Sequence, residues 1–307
     1  MNITIEGDIQ DFLGVNITRN GDGTVTLAQP HLIDQILEDL RLVEDSKARI
    51  VPGKSSEILK RHQDSEPFDC SFNYRSVIGK LNYLERGSRP DISYMTHQCA
   101  RFTDSPKMEH GKAVRWLGRY LLGTRDKGMI LRPEMSKGLE VYVDADFSGN
   151  WDRDYSHDRD TARSRHGYLI TYAGCVVQWK SQLQTEICLS STESEYTGLS
   201  YALRSAIPLM QLLCKIHKGG IPVSPNDPAV RCRVFEENSG ALEMAREYKY
   251  RPRTKHLNVK LHHFRDYVER GEIQILHIRT DNQPADILTK PVNEAILTRH
   301  RYTIMGW

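Results

Sequence analysis

The chain has 307 residues, with 42 Lys and Arg against 40 Asp and Glu and a formal net charge of +2. Hydrophobic residues at 39% and charged residues at 27% suit ordinary globular cores and exclude a disordered or collagen-like chain. A mean hydropathy of -0.55, without any apolar run near the ~18 residues that cross a bilayer, excludes a transmembrane helix; the near-neutral charge neither demands nor excludes nucleic acid.

The opening Met1-Asn-Ile-Thr-Ile-Glu-Gly-Asp has no basic stretch followed by an apolar core, so no secretory signal is expected and the cytoplasm is the expected location. Cys70, Cys99, Cys175, Cys188, Cys214 and Cys232 stand far apart without a C-x-x-C pair, which reads as scattered reduced thiols. The length suggests two domains.

Two short strands, Phe12 to Thr18 and Thr24 to Leu27, flank Arg19-Asn-Gly-Asp-Gly, a hairpin signal. Pro30 opens a helix with Leu32, Ile33, Ile36, Leu37 and Leu40 at helical spacing. Residues 44–70 read as an irregular connector holding Pro52, Gly53 and Pro67. Helices are expected from Tyr74 to Leu84, after Arg89-Pro-Asp, and from Met108 to Leu122. Near Leu139 the period changes from helix to strand. Leu139-Glu-Val-Tyr-Val-Asp-Ala-Asp, Gly167-Tyr-Leu-Ile-Thr-Tyr and Cys175-Val-Val-Gln-Trp-Lys read as strands, the last two joined by an Ala173-Gly174 turn. A long helix from Thr192 to Ile216 follows. Then come a strand at 231–236, helices near 239–247 and 257–270, a strand at 272–278 and a final helix after Gln283. Strands followed by alternating helix and strand make an α/β unit on a mixed sheet.

Four carboxylates fall at strand and helix ends: Asp144, Glu195, Glu237 and Asp286. Gathered together they would repel one another without a cation, and hard oxygen ligands suit Mg²⁺ or Mn²⁺. Two such ions would activate water against a phosphodiester. The bland reading makes Asp286 a first-turn dipole partner and Glu195 a solvated helix face. Spacing alone leaves both open.

Several segments in order carry a resemblance. Tyr142-Val-Asp-Ala-Asp-Phe-Ser-Gly, Gly167-Tyr-Leu, Trp179-Lys-Ser, Leu189-Ser-Ser-Thr-Glu-Ser-Glu-Tyr, Arg253-Thr-Lys-His-Leu-Asn, His263-Phe-Arg-Asp and Gln283-Pro-Ala-Asp-Ile-Leu-Thr-Lys resemble the ribonuclease H domain of copia-type LTR retrotransposon Pol polyproteins. Upstream, Phe12-Leu-Gly-Val-Asn-Ile, Tyr74-Arg-Ser-Val-Ile-Gly-Lys-Leu-Asn-Tyr-Leu, Arg89-Pro-Asp-Ile-Ser-Tyr and Arg115-Trp-Leu-Gly-Arg-Tyr-Leu-Leu-Gly-Thr look like the end of the reverse transcriptase of that family.

The resemblance implies a ribonuclease H-like, mixed five-stranded sheet flanked by helices over residues 138–307. Residues 1–137 would be a helix-rich thumb and connection remnant. It implies metal-dependent cleavage of RNA in RNA–DNA hybrids, with Asp144, Glu195, Glu237 and Asp286 as catalytic and metal-binding residues for two Mg²⁺ or Mn²⁺ ions. The partners implied are the hybrid and the rest of a Pol polyprotein, and the setting is cytoplasm or a virus-like particle. No Tyr-x-Asp-Asp occurs in the chain, so polymerase activity is not expected.

Two positions depart from the family pattern. Glu237 stands before Asn238 where the family has Asp, and Asn258 stands where it has Asp after Lys-His-Ile. Glu adds a methylene, and misplacement by ~1 Å costs ~100-fold in rate. An alternative therefore stays open: a catalytically impaired relic that binds nucleic acid without cleaving it. Glu236 and Asp146 are spare carboxylates nearby, and His277 reads as a strand residue.

Lys249, Arg251, Arg253 and Lys255 bracket Tyr250 in a basic run suited to phosphate contacts, or to a solvated loop. Ser190, Ser191 and Thr192 are the expected caps of the long helix, and Thr192 with Glu195 three residues on fits a capping box, a role that competes with metal binding by Glu195.

Overall fold

Asn20 closes the first hairpin. Its backbone N–H donates to Thr24 O at 2.8 Å, and its side-chain amide donates to Thr24 Oγ1 and Thr26 Oγ1 at 2.8 and 2.9 Å. The turn joins β2 (Val15–Arg19) to β3 (Val25–Ala28). The computed structural model describes residues 9–54, 58–61, 65–155, 158–223, 231–246 and 263–307. Within these, β1 (Asp11–Phe12) folds back on β2, and β4 (Met129–Leu131) pairs with β3 through Val25 and Leu131. The result is an antiparallel sheet in the order β1-β2-β3-β4. Neither outer strand is legible in the sequence, because two or three residues are too few to show alternation.

Helix α1 (Pro30–Asp39) buries Ile33, Ile36 and Leu37, with Pro30 in its first turn. Helix α2 (Tyr74–Gly87) is capped by Asn73, whose side chain accepts from Ser76 N at 3.1 Å. A 3-10 turn at Pro90–Ile92 leads into α3 (Ser93–Ala100), and α4 (Met108–Gly123) follows. Arg89, fully buried, clamps these pieces. It donates to Asp91 at 2.9 and 2.8 Å and to Thr124 Oγ1 at 2.7 Å, while Tyr120 OH donates to Asp91 at 2.7 Å.

The second sheet is the five-stranded mixed sheet that the sequence implies. β5 (Leu139–Asp146) lies at its centre and pairs antiparallel with β6 (Arg165–Tyr172), which pairs with β7 (Cys175–Leu183). Ala173 and Gly174 both take positive φ, 50° and 72°, the combination a two-residue type I′ hairpin turn requires. On the other side β8 (Cys232–Glu236) runs parallel to β5, and β9 (Ile273–His277) parallel to β8, giving the order β7-β6-β5-β8-β9. His277 is indeed the last strand residue.

Each face of this sheet is covered. Helix α5 (Ser191–Lys218) buries Tyr196, Leu199, Leu203 and Met210 against Val141, Val143 and Ile170, with α6 (Ser239–Arg246) beside it. Of the helix expected near 257–270, the described part is α7 (Arg265–Glu269). The single final helix expected after Gln283 is instead two, α8 (Asp286–Thr289) and α9 (Glu294–Met305). Pro291 is the reason: it disfavours helical backbone at the residue before it, and Lys290 is extended at φ -141°, ψ 158°.

Against the opposite face lie the N-terminal helices. One apolar cluster joins Leu81, Leu84, Leu117 and Tyr120 to Leu169, Val176, Ile287, Leu288, Leu297, Ile304 and Met305. Trp179 Nε1 donates to Glu85 O at 2.9 Å, and Trp307 Nε1 to Gly128 O at 2.8 Å. The element type changes near residue 138, while the packing runs across it.

A chain nicked between residues 124 and 138 should therefore stay together. Limited proteolysis followed by native size exclusion is expected to give both fragments in one peak; fragments that separate without denaturant would contradict the shared core.

Candidate metal centre

Parallel pairing of β5 with β8 sets the site. Tyr142 is level with Phe235, so two residues on, Asp144 is level with Glu237 just past the end of β8. Glu195 reaches the same point from the start of α5. One carboxylate oxygen from each of Asp144, Glu195 and Glu237 lies within 4.8 Å of the others. Asp286, at the first position of α8, borders this group through Lys290, whose Nζ is 2.9 Å from Asp286 Oδ1 and 3.9 Å from Asp144 Oδ2.

Packing around Gly167 makes the approach of α8 possible. Gly167 pairs with Asp144 across β5 and β6, and a Cβ there would stand 2.6 Å from Leu288 Cβ and 2.9 Å from Thr289 Cγ2. With no side chain in the way, Thr289 Oγ1 hydrogen-bonds Asp144 Oδ2. Gln283, fully buried, ties the preceding turn to β5 by donating to Val143 O at 2.8 Å.

The capping of α5 picks one of the three expected residues and drops the expected box. Ser190, not Thr192, is the N-cap, and its hydroxyl accepts from Glu193 N at 3.1 Å. Glu193 in turn accepts from Leu189 N at 2.8 Å. The two glutamates thus divide the work: Glu193 serves the helix end, and Glu195, one half-turn on, is released to the cluster. The competition between capping and ligation does not arise.

These carboxylates are buried as unpaired acids rarely are. Asp144 is 2% exposed, Glu195 5%, Asp286 4% and Glu236 0%. Glu195 Oε2, Glu236 Oε2 and Glu237 Oε2 have no hydrogen-bond partner. Burial, then the charges of Glu236, Asp144 and Glu237, hold the Glu195 carboxyl well above its ordinary range, against one hydrogen bond from Ala145 N–H. Burial also pushes Glu236 up to about 8, although Asn238 N–H donates to it at 2.9 Å. Asp286 rises to about 7 through burial and Asp144, with Lys290 pulling the other way. Glu237 and Asp146 shift upward for the same two reasons. Burial works against the Lys290 ammonium, but Asp144 and Asp286 outweigh it and raise its pKa.

Three clustered oxygen donors, with unpartnered buried oxygens on Glu195 and Glu237, fit a hard divalent cation such as Mg²⁺ or Mn²⁺. Of the sequence candidates, Asp144, Glu195 and Glu237 meet directly and Asp286 stands beside them. Lys249, Arg251, Arg253 and Lys255 lie outside the described residues. Sequence reasoning gave no role to Lys290, Thr289 or Gln283, and kept Glu236 only as a spare. The signal for Lys290 was present: it stands four residues after Asp286, the spacing of an ion pair on a helix.

No family model matches the chain. It is 30% identical over 292 residues to the Retrovirus-related Pol polyprotein from transposon TNT 1-94 of Nicotiana tabacum, covering 93% of this chain and 21% of that protein. It is 29% identical over 286 residues to the Pol polyprotein from transposon RE2 of Arabidopsis thaliana, covering 93% and 18%. The chain thus spans about a fifth of the length of these relatives. Among solved structures, the N-terminal RNase H domain of Rv2228c from Mycobacterium tuberculosis aligns with 54% of this chain and 98% of its own, at 16% identity and a TM-score of 0.34.

Two predictions follow from the geometry. Gly167→Ala should force α8 away from β5 and destabilise the fold by about 1–3 kcal/mol, the usual cost of overpacking; urea denaturation measures it, and an unchanged midpoint would contradict the close approach. The second concerns pH. The raised pKa values mean that the metal-free fold binds more protons than the unfolded chain. Their stabilising effect is full below about pH 4 and is lost as pH rises through about 7 to 8. Mg²⁺ competes with those protons, so the Tm gain on replacing EDTA by Mg²⁺ should be larger at pH 8.5 than at pH 6. An equal or smaller gain at pH 8.5 would count against cation binding at this cluster.

Proposed function

Given that the chain belongs to the copia-type retrotransposon Pol polyprotein family, we propose that residues 138–307 are its ribonuclease H domain. The activity is hydrolysis of the RNA strand of RNA–DNA hybrids, dependent on Mg²⁺ or Mn²⁺. The observation that carries this reading is the meeting of Asp144, Glu195 and Glu237, from three separate elements, within 4.8 Å at the end of a mixed sheet. Asp144, Glu195, Glu237 and Asp286 would hold the ions. Bound there, divalent cations supply Lewis-acid activation of water and neutralise charge at a phosphodiester.

The chain's own groups set up that chemistry. Thr289 fixes the rotation of the Asp144 carboxylate, and Gln283 anchors the turn that presents Asp286. The Ala145 N–H fixes Glu195, and the Thr280 hydroxyl hydrogen-bonds Glu237. The basic run Lys249, Arg251, Arg253 and Lys255 is suited to the hybrid's phosphates, with binding that weakens as salt rises. Discrimination of RNA from DNA would come through 2′-hydroxyl contacts in the wide minor groove. Residues 1–137 act as the thumb and connection of a reverse transcriptase, without polymerase chemistry of their own.

One observation favours the second reading, a non-cleaving relic that binds hybrid: the glutamate at position 237. Cleavage of a labelled RNA–DNA hybrid in Mg²⁺, Mn²⁺ and EDTA separates the two. Metal-dependent cutting that Asp144→Asn abolishes, with Tm unchanged or raised, is the expected result. Hybrid binding without product in the native chain, with cutting recovered in Glu237→Asp, would replace the enzyme by the relic.

A further inference from the structure

Lys290, with a side chain 36% exposed, stands at the rim of the carboxylate cluster and reaches into it. Its ammonium contacts carboxylates from two elements, Asp286 at 2.9 Å and Asp144 at 3.9 Å, and those partners are only 6% and 3% exposed. An exposed i,i+4 pair would count for little. This pair differs in two ways. The Asp286 contact keeps helical i,i+4 spacing, with Lys290 N–H donating to Asp286 O at 3.1 Å, but the same ammonium also reaches Asp144 on β5, which that spacing does not provide. The residue also lines a small cleft with Pro52, Tyr94 and Met95 of the N-terminal half and Val292 and Leu297 beyond α8.

The cluster is consequently uneven. On one side, Asp144, Glu195 and Glu237 face one another with unpartnered oxygens on both glutamates. On the other, Asp286 Oδ1, itself without a well-formed hydrogen bond, has the Lys290 ammonium 2.9 Å away as a cation of the chain's own. A divalent ion ligated by Asp286 would stand ~2.0–2.6 Å from its oxygen. That places it close to an ammonium 2.9 Å from the same carboxylate, where cation–cation repulsion is strong in a half-buried site.

Resting on the ribonuclease H reading above, we propose that Lys290 is a resident counter-ion that excludes a second divalent ion from the Asp286 side of the cluster. The substrate-free chain then takes one divalent ion tightly, at Asp144, Glu195 and Glu237. The second position opens only when the ammonium swings away, and a substrate phosphate is the group with the charge to draw it. Lys290 is on this account a positioning residue for the metals.

Mn²⁺ titration of the full chain without nucleic acid, followed by the electron paramagnetic resonance of free Mn²⁺, tests this. The native chain is expected to bind one ion tightly. Lys290→Gln is expected to bind two, or the same ion at least about tenfold more tightly, since a neighbouring positive charge has been removed. Lys290→Arg keeps the charge and should titrate like the native chain, which separates charge from shape. Equal number and affinity in the native and Lys290→Gln chains overturns the proposal. If the glutamine variant unfolds in EDTA, its melting curve in Mn²⁺ is read instead: recovery of the native Tm supports the proposal, and no recovery overturns it. Asp144→Asn tells the two levels apart. Undiminished Mn²⁺ binding in that variant removes the metal centre itself, whereas lost binding alongside an unaffected Lys290→Gln removes only the role of Lys290.

Discussion

The structure depends on holding like charges together in a place where water cannot separate them. Asp144, Glu195 and Glu237 meet at the end of β5 and β8, with Asp286 beside them across Lys290 and Glu236 buried next to Glu237 in the chain. Neither burial nor mutual repulsion favours that arrangement. It persists because stronger packing dictates where each backbone runs. The parallel register of β5 and β8 makes Asp144 and Glu237 level, and the apolar side of α5 fixes Glu195. Protons, the Lys290 ammonium or divalent cations then relieve the charge. A site of this kind is a strained element supported by an unstrained scaffold.

Much of the support comes from outside the sheet's own unit. Helix α8 carries Asp286 on four residues, too few to hold a position by themselves. Its Ile287 and Leu288 are buried in the cluster that includes the N-terminal helices. That cluster is in turn braced by the buried Arg89–Asp91 pair, whose loss of one partner would leave a charge without compensation, at a cost of about 3–5 kcal/mol. The N-terminal half is thus a wall of the site's framework as well as a neighbour of it.

Regular elements were legible in the sequence because their periodicity is long. The 28 residues of α5 and the eight of β5 show their apolar faces plainly. β1 and β4 were not legible, since they are strands by virtue of pairing rather than composition. The break between α8 and α9 was written in Pro291 and should have been read from it. Of the site, the carboxylates that meet were found from their motifs, since acidic residues at strand ends stand out against apolar surroundings. Thr289 and Gln283 were not, because a threonine and a glutamine gain their meaning only from what lies across the fold: Asp144 and Val143 are 145 and 140 residues away in the chain. The assignment of Glu195 to a capping box failed on a choice between two glutamates that a two-residue shift of the helix start decides.

Glu237 shows how much such a site can absorb. An extra methylene at Asp144 would shift its carboxylate against Thr289 Oγ1, to which it is hydrogen-bonded, in a position only 2% exposed. At position 237 the conditions differ. The residue lies past the last strand pair and is the least buried of the three meeting carboxylates, although its Oε2 is itself buried. Its backbone neighbours are held, Glu236 O by Ile278 N–H and the Asn238 side chain by Ala241 N–H, which leaves the side-chain torsions to take up the added length. The carboxylate does arrive within 4.8 Å of Asp144 and Glu195. Extra torsional freedom is a cost in rotamer entropy rather than in reach. A longer side chain at position 237 thus keeps its carboxylate in the cluster, at the least buried of the three meeting positions.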